Sequence, residues 1–60
     1  MAAEYEVYRD NAGEYRWRLQ ANNNEIVADS NEGYGPKDSC LHGIAVVRSI
    51  AATAPINDLT

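Results

Sequence analysis

Hydrophobic and polar residues alternate along the first half of the chain. Tyr5 and Val7 alternate with Glu4 and Glu6, and the run YRWRLQ at 15–20 repeats the pattern with larger side chains. A third, shorter segment at 25–29 alternates less cleanly, because Val27 interrupts it. A period of two places successive side chains on opposite faces of a strand. We therefore expect three strands, each with one buried face.

The turns between these segments predict how the strands pair. Gly13 in the run DNAGE suits a three-residue hairpin loop with a left-handed bulge, and the run NNN at 22–24 suits a tight turn. The first hairpin then sets Val7 opposite Trp17 on the inner face. A slip of one residue would invert both faces, so the register is strongly specified. The pairs expected on the outer face are Glu6 with Arg18, Tyr8 with Arg16, and Arg18 with Asp29.

The hydrophobic period changes after Gly35. Pro36 suits the first position of a helix, and Asp38 then lies near the positive end of the helix dipole. Pro55 prevents the helix from continuing. Because an apolar helix stripe must cover the sheet, we predict one α+β domain spanning 1–60, with the order β-β-β-α and a short tail. At 100° per residue the stripe consists of Cys40, Ile44, Val47 and Ala51.

Composition makes a partner chain the expected source of additional stability. A chain of 60 residues buries only about 60% of its unfolded surface, which leaves the core marginal. The single cysteine excludes an intramolecular disulfide, and no apolar run approaches the roughly 20 residues of a membrane span. The sequence does not open on a basic stretch followed by an apolar one. We expect a cytoplasmic protein that does not associate with membranes.

Cys40 and His42 are the residues that a search for a metal site or a nucleophile would select first. On a helix they project about 200° apart, and no second cysteine or histidine exists to complete a zinc site. The sequence also groups no nucleophile, base and orienting residue of the kind that covalent catalysis needs. We therefore expect no catalytic residue, no metal, no cofactor and no enzymatic activity.

Tyr8, Arg16 and Arg18 form a surface group with binding chemistry. Arginines beside aromatic rings hold single-stranded nucleic acid by attraction to the backbone and by stacking. The competing interpretation is structural, with Glu6 and Asp29 neutralising the arginines across the strands. The net charge of −4 favours the structural interpretation, because phosphate binding needs a cationic surface. Nucleic acid is thus a disfavoured partner that the sequence leaves open.

Several short runs together resemble the YegP-like family (DUF1508, UPF0339). They are YEVYRD at 5–10, AGEYRWRL at 12–19, NNEIVA at 23–28 and EGY at 32–34. The match covers about residues 4–60, with Asn24 where the family usually has glycine and Pro36 where it often has a small hydroxyl residue. The resemblance implies a β(3)-α-β unit, two of which form one antiparallel sheet and exchange their C-terminal strands. It implies no established activity.

A single unit of this family implies a homodimer. The resemblance assigns the exchanged strand to the tail, where Pro55, Ile56 and Leu59 would form the dimer interface. Ile56 and Leu59 are three residues apart, so burying both requires a bulge or a sheet covered on both faces. Leu41 and Val46, which flank the helix stripe, are further positions where a partner could bind. We expect a non-enzymatic dimeric binding module with an unidentified protein partner, and nucleic-acid association as the alternative.

Overall fold

The computed structural model describes residues 2–60, and its strands and helix follow the predicted order. The three strands form one antiparallel sheet in the order β1-β2-β3, so each strand pairs with its neighbour in sequence. The predicted β-β-β-α order of an α+β protein is confirmed. The elements are β1 (Glu4–Arg9), β2 (Tyr15–Gln20), β3 (Ile26–Asp29) and α1 (Lys37–Ile50).

The pairing of β1 with β2 confirms the register predicted for the first hairpin. Val7 lies opposite Trp17, and Tyr8 lies opposite Arg16. Gly13 closes the loop at a φ of +82°, a left-handed conformation that glycine adopts without steric cost. The hairpin loop therefore places Trp17 on the face that α1 covers.

The pairing of β2 with β3 is less regular. Arg18 lies opposite Asp29, as predicted, but the register shifts between Leu19 and Gln20. Asn24 occupies the tight turn at a φ of 69°, which asparagine tolerates better than most residues. All four residues of β3 are exposed, because α1 packs on β1 and β2 and makes no contact with β3.

Helix α1 begins one residue later than the sequence predicts. Pro36 has an extended backbone (φ −79°, ψ 140°) and precedes the helix as its N-cap. The fixed φ of proline fits both the cap and the first helical position, and here ψ excludes the second. The prediction that Pro36 is the first helical residue is therefore wrong by one position.

The core within one chain is small. Trp17, Cys40 and Ile44 are the buried apolar residues of the described part of the chain. The Tyr5 ring meets the Trp17 ring edge to face, with centroids 5.7 Å apart. The helix stripe is confirmed at Cys40 and Ile44, whereas Ala51, the C-cap that follows Ile50, is exposed. Partly buried side chains that surround this core are Tyr5, Val7, Tyr15, Tyr34 and Val47.

The tail, Pro55–Thr60, extends away from the sheet and the helix. All its residues are described, and they contain no helix or strand. Ile56 is 95% exposed and Leu59 is 87% exposed. The radius of gyration is 12.9 Å, whereas a compact domain of this length has about 10 Å. The fourth strand that the resemblance implies is therefore not formed within one chain.

Within residues 2–60, no helix combines the length and the apolar content needed to cross a membrane.

Candidate interaction surfaces

An open apolar groove lies along one flank of α1. Its volume is about 620 Å³, and Trp17, Tyr34 and Val46 contribute to its walls. Gly43 lets these rings approach the helix closely: a Cβ there would lie 2.8 Å from the Tyr34 hydroxyl oxygen and 3.4 Å from Trp17 Nε1. The groove therefore depends on a glycine in the middle of a helix.

Trp17 Nε1 lacks a hydrogen-bond partner. It is the one buried side-chain nitrogen or oxygen of the described residues that makes no hydrogen bond. Leaving a buried donor unsatisfied costs about 1–3 kcal/mol, so native proteins usually supply an acceptor. A single chain supplies none at this position. The groove thus combines apolar walls with one unused donor.

The outer face of the sheet carries two ion pairs. Arg18 donates from Nε to Glu6 Oε1 at 2.7 Å, and its guanidinium carbon lies 4.7 Å from the centre of the Tyr8 ring. Arg16 donates from Nε to Asp10 Oδ2, also at 2.7 Å. The predicted pairing of Tyr8 with Arg16 across the strands is confirmed in register, and Arg16 makes its ion pair with Asp10. The Arg18 guanidinium lies diagonally across the strands against the Tyr8 ring. Arg16 pairs with the carboxylate of Asp10.

Asp10 is fixed by three hydrogen bonds. Its Oδ1 accepts from the backbone N–H groups of Ala12 and Glu14, each at 2.9 Å, and its Oδ2 accepts from Arg16. The hydrogen bond from Arg16 and then that from the Glu14 N–H hold the pKa of Asp10 below its usual value. The first hairpin loop is thereby tied to the outer face of β2.

The three candidate binding residues Tyr8, Arg16 and Arg18 are brought onto one face, as the sequence predicts. Each arginine, however, is paired with a carboxylate, and the guanidinium of Arg18 also lies over the Tyr8 ring. An anion would have to compete with these carboxylates for the same donors. These contacts link neighbouring segments of the sheet. They leave few unpaired cationic groups on this face to bind a phosphate backbone.

Cys40 and His42 lie in different surroundings. Cys40 is fully buried, which confirms its prediction as a small core residue, and burial raises the pKa of its thiol. His42 is exposed and lies along the groove. No group of three or more histidine, cysteine, aspartate or glutamate residues that could hold a metal occurs in residues 2–60.

Exposed apolar side chains lie on both flanks of α1 and along β3. Leu41 and Val46, predicted as possible partner positions, are 44% and 42% exposed. Only Val46 lines the groove. Other exposed large apolar residues in the described chain, besides the tail, are Ile26, Val27 and Ile50.

Sequence reasoning did not identify the groove or the unused donor of Trp17. The available signal was Gly43, because a glycine inside a helix costs about 1 kcal/mol relative to alanine and usually marks a close approach of another group. What approaches is the Tyr34 hydroxyl, from a residue that the sequence assigns to a connecting loop. Such a contact between a loop and a helix has no periodic signature.

A three-stranded antiparallel sheet, covered by one helix and followed by an exposed tail, defines a small α+β protein. The model of the family described as "Domain of unknown function (DUF1508)" matches residues 10–58, and the chain belongs to that family. The resemblance noted in the sequence is thereby confirmed.

Relatives and a solved structure agree with this membership. A UPF0339 protein of Neisseria meningitidis serogroup B is 44% identical over 55 residues, which is 92% of this chain and 96% of the relative. A UPF0339 protein in the 5′ region of the ptx operon of Stutzerimonas stutzeri is 45% identical over 51 residues, which is 85% of this chain but 45% of that protein. The solution NMR structure of a protein from Haloferax volcanii is 42% identical, with a TM-score of 0.88 and 95% of each chain covered.

Proposed function

We propose that the protein is a non-enzymatic interaction module that acts as a homodimer, in which the tail of each copy packs on the other. The observation that carries this proposal is the exposure of Ile56 (95%) and Leu59 (87%) beside a core of three buried residues. Full burial of one such side chain contributes about 1.5–3 kcal/mol. Pro55, Ile56 and Leu59 are accordingly the proposed dimer contacts.

The size of the core supports the same proposal. Trp17, Cys40 and Ile44 are a small buried set for 60 residues, and more large apolar side chains are exposed than buried in the described chain. Domains of this length usually need a disulfide, a metal or a second chain. Cys40 is a free thiol, so a disulfide within the chain does not meet this need. A second copy would bury the surface that the first leaves exposed.

The length of one relative is a further support. This chain covers 45% of the Stutzerimonas stutzeri protein, which therefore has room for a second unit on one chain. Two covalently linked units would place two sheets side by side without any need for association. A protein with one unit can reach the same arrangement by pairing with itself.

Nucleic-acid association through Tyr8, Arg16 and Arg18 is the weaker candidate. Asp10 and Glu6 already accept the hydrogen bonds of the two arginines at 2.7 Å. The net charge of −4 also opposes an approach to phosphate. Binding of single-stranded RNA at low salt, lost in Arg18→Gln, would instead support this face as a nucleic-acid binding surface.

The dimer is tested by light scattering and sedimentation equilibrium of the full chain. We expect a species with twice the mass of one chain, and we expect Ile56→Asp to weaken the dimer at least tenfold (about 1.4 kcal/mol). Asn57→Asp is the matched control, because it adds the same charge at the next position without removing an apolar side chain. A wild-type monomer at every accessible concentration, or equal effects of the two substitutions, would contradict the proposal.

A further inference from the structure

We propose that the groove beside Gly43 binds a small, uncharged organic molecule with an apolar body and one carbonyl group, whose oxygen accepts a hydrogen bond from Trp17 Nε1. This inference goes beyond the proposed dimer, since every residue that lines the groove belongs to one chain. The size of the groove, its unused donor and the charge at its rim together define this class of ligand.

The groove has the dimensions and the composition of a small-molecule site. Its volume of about 620 Å³ falls within the roughly 300–1,000 Å³ of ligand pockets in proteins. Trp17 and Tyr34 contribute aromatic rings to its walls, and Val46 and Val47 contribute branched aliphatic side chains. Ligand pockets usually combine such apolar walls with a few polar groups that orient the ligand. The walls therefore suit an aromatic ring or a short branched chain.

The buried donor specifies an acceptor on the ligand. Trp17 is only 5% exposed, and its Nε1 makes no hydrogen bond within residues 2–60. An indole N–H donates and does not accept, so a carbonyl oxygen satisfies it and another donor does not. Nε1 lies 3.4 Å from the position of a Cβ on Gly43, and Gly43 itself lines the groove. A ligand carbonyl at this place removes the cost of leaving the donor unpaired.

The Tyr34 side chain lies beside this donor. Its hydroxyl oxygen is 2.8 Å from the same Cβ position, and Nε1 is covered from solvent. The backbone of Tyr34 is fixed, because its N–H and its carbonyl each form a hydrogen bond with Tyr15 at 2.8 Å. The side chain changes rotamer without moving this backbone. A ligand carbonyl thus reaches Nε1 when the Tyr34 ring turns aside.

The rim of the groove selects against anions. Asp38 lines the groove and forms no ion pair in the described chain. Among the described residues that line the groove, His42 is the only one whose side chain is able to carry a positive charge. An anionic ligand would meet an unpaired carboxylate on a protein of net charge −4. An uncharged carbonyl compound meets no such repulsion.

Three probes of nearly equal shape test this assignment, namely benzamide, benzoate and benzamidinium. Benzamide is uncharged and has one carbonyl, benzoate has negatively charged acceptors, and benzamidinium has donors only. The readout is the indole N–H resonance of Trp17 in proton–nitrogen correlation NMR spectra, which is unique because the chain has a single tryptophan. We expect benzamide to move this resonance downfield with saturation. Benzoate should bind about tenfold more weakly or worse, and benzamidinium should produce no downfield shift.

Two matched substitutions on α1 locate the binding. Val46 and Leu41 are almost equally exposed, at 42% and 44%, but only Val46 lines the groove. We expect Val46→Asp to weaken benzamide binding by about tenfold or more, because it places a charge on an apolar wall. Leu41→Asp should bind benzamide as the wild type does. Circular dichroism reports whether the helix is retained, and Val46→Thr, which keeps the shape of valine, should weaken binding by a smaller factor if Val46→Asp does not fold.

The outcomes separate this inference from the proposed dimer. Absence of a saturable shift with benzamide would overturn the ligand site, as would benzoate binding equal to that of benzamide. Equal losses in folded Val46→Asp and Leu41→Asp would place the binding elsewhere and overturn the assignment to the groove. A monomeric wild type that binds benzamide as expected would contradict the dimer and leave the ligand site standing.

Discussion

The sheet-and-helix body and the tail bury their apolar side chains to opposite extents. Cys40 in the body is completely buried, whereas Ile56 in the tail is 95% exposed. In the body, strand register gives an inward side chain a partner within the chain, as where Val7 lies opposite Trp17. The tail has apolar residues of similar size but no neighbouring element. The comparison shows that apolar character stabilises a segment only where the fold supplies a surface to cover it.

Among substitutions that test this difference between body and tail, Trp17→Ala is expected to cause the largest loss of folding stability. Truncation of a buried tryptophan costs about 3–5 kcal/mol, and a core of this size supplies little more than that. We expect the variant to be largely unfolded at room temperature, as measured by circular dichroism. Asn57→Ala is the control in the tail, at an exposed residue outside the proposed dimer contacts, and should leave the secondary structure of the body intact. A Trp17→Ala protein that melts cooperatively near the wild-type temperature would show that the body is stabilised elsewhere.

A smaller effect is expected where the helix and the loop make their closest approach. Gly43→Ala gains up to about 1 kcal/mol of helix propensity, but the new Cβ would lie 2.8 Å from the Tyr34 hydroxyl oxygen and 3.4 Å from Trp17 Nε1. Both neighbours are rigid rings, so we expect a net loss of about 1–2 kcal/mol in thermal or urea unfolding. Gly35→Ala is the control, since nothing lies within 4 Å of its added Cβ. A stabilised Gly43→Ala protein would indicate that Tyr34 moves aside freely.

The smallest effect concerns the first hairpin and its response to acid. The pKa of Asp10 is lowered in the folded state, so its ionised form stabilises the fold above the ordinary pKa of the unfolded carboxyl. This contribution is lost as pH falls through the folded pKa. We expect Asp10→Asn to melt slightly below the wild type at neutral pH, with the difference narrowing as pH decreases. Asp29→Asn, at a carboxylate without an ion pair in the described chain, is the matched control.

Much of the body could be predicted from local signals. Gly13 at a left-handed φ and the alternation around Trp17 leave one register that buries the large side chains, and the structure has that register. The helix stripe at Cys40 and Ile44 follows from the 3.6-residue period in the same way. These features depend on the backbone period and on turn chemistry, both of which are properties of short sequence segments.

The side-chain contacts of the outer face and the groove could not be predicted as fully as the strand register and the helix stripe. Register places Tyr8 opposite Arg16, but the long arginine side chain reaches Asp10, whose carboxylate is held by the loop. The groove depends on where the loop carries Tyr34 relative to Gly43. Both outcomes are set by side-chain direction and loop path, which have no period in the sequence. The dimer contacts in the tail remain predictions.

The order β1-β2-β3 also has a kinetic consequence. Each strand pairs with the strand next to it in sequence, and the hairpin loops are short, so little loop-closure entropy is lost before the sheet contacts form. Folding rates rise as contacts become more local along the chain. The body should therefore fold rapidly in a unimolecular step whose rate is independent of protein concentration. In the proposed dimer, association of the two chains would follow as a slower, concentration-dependent phase.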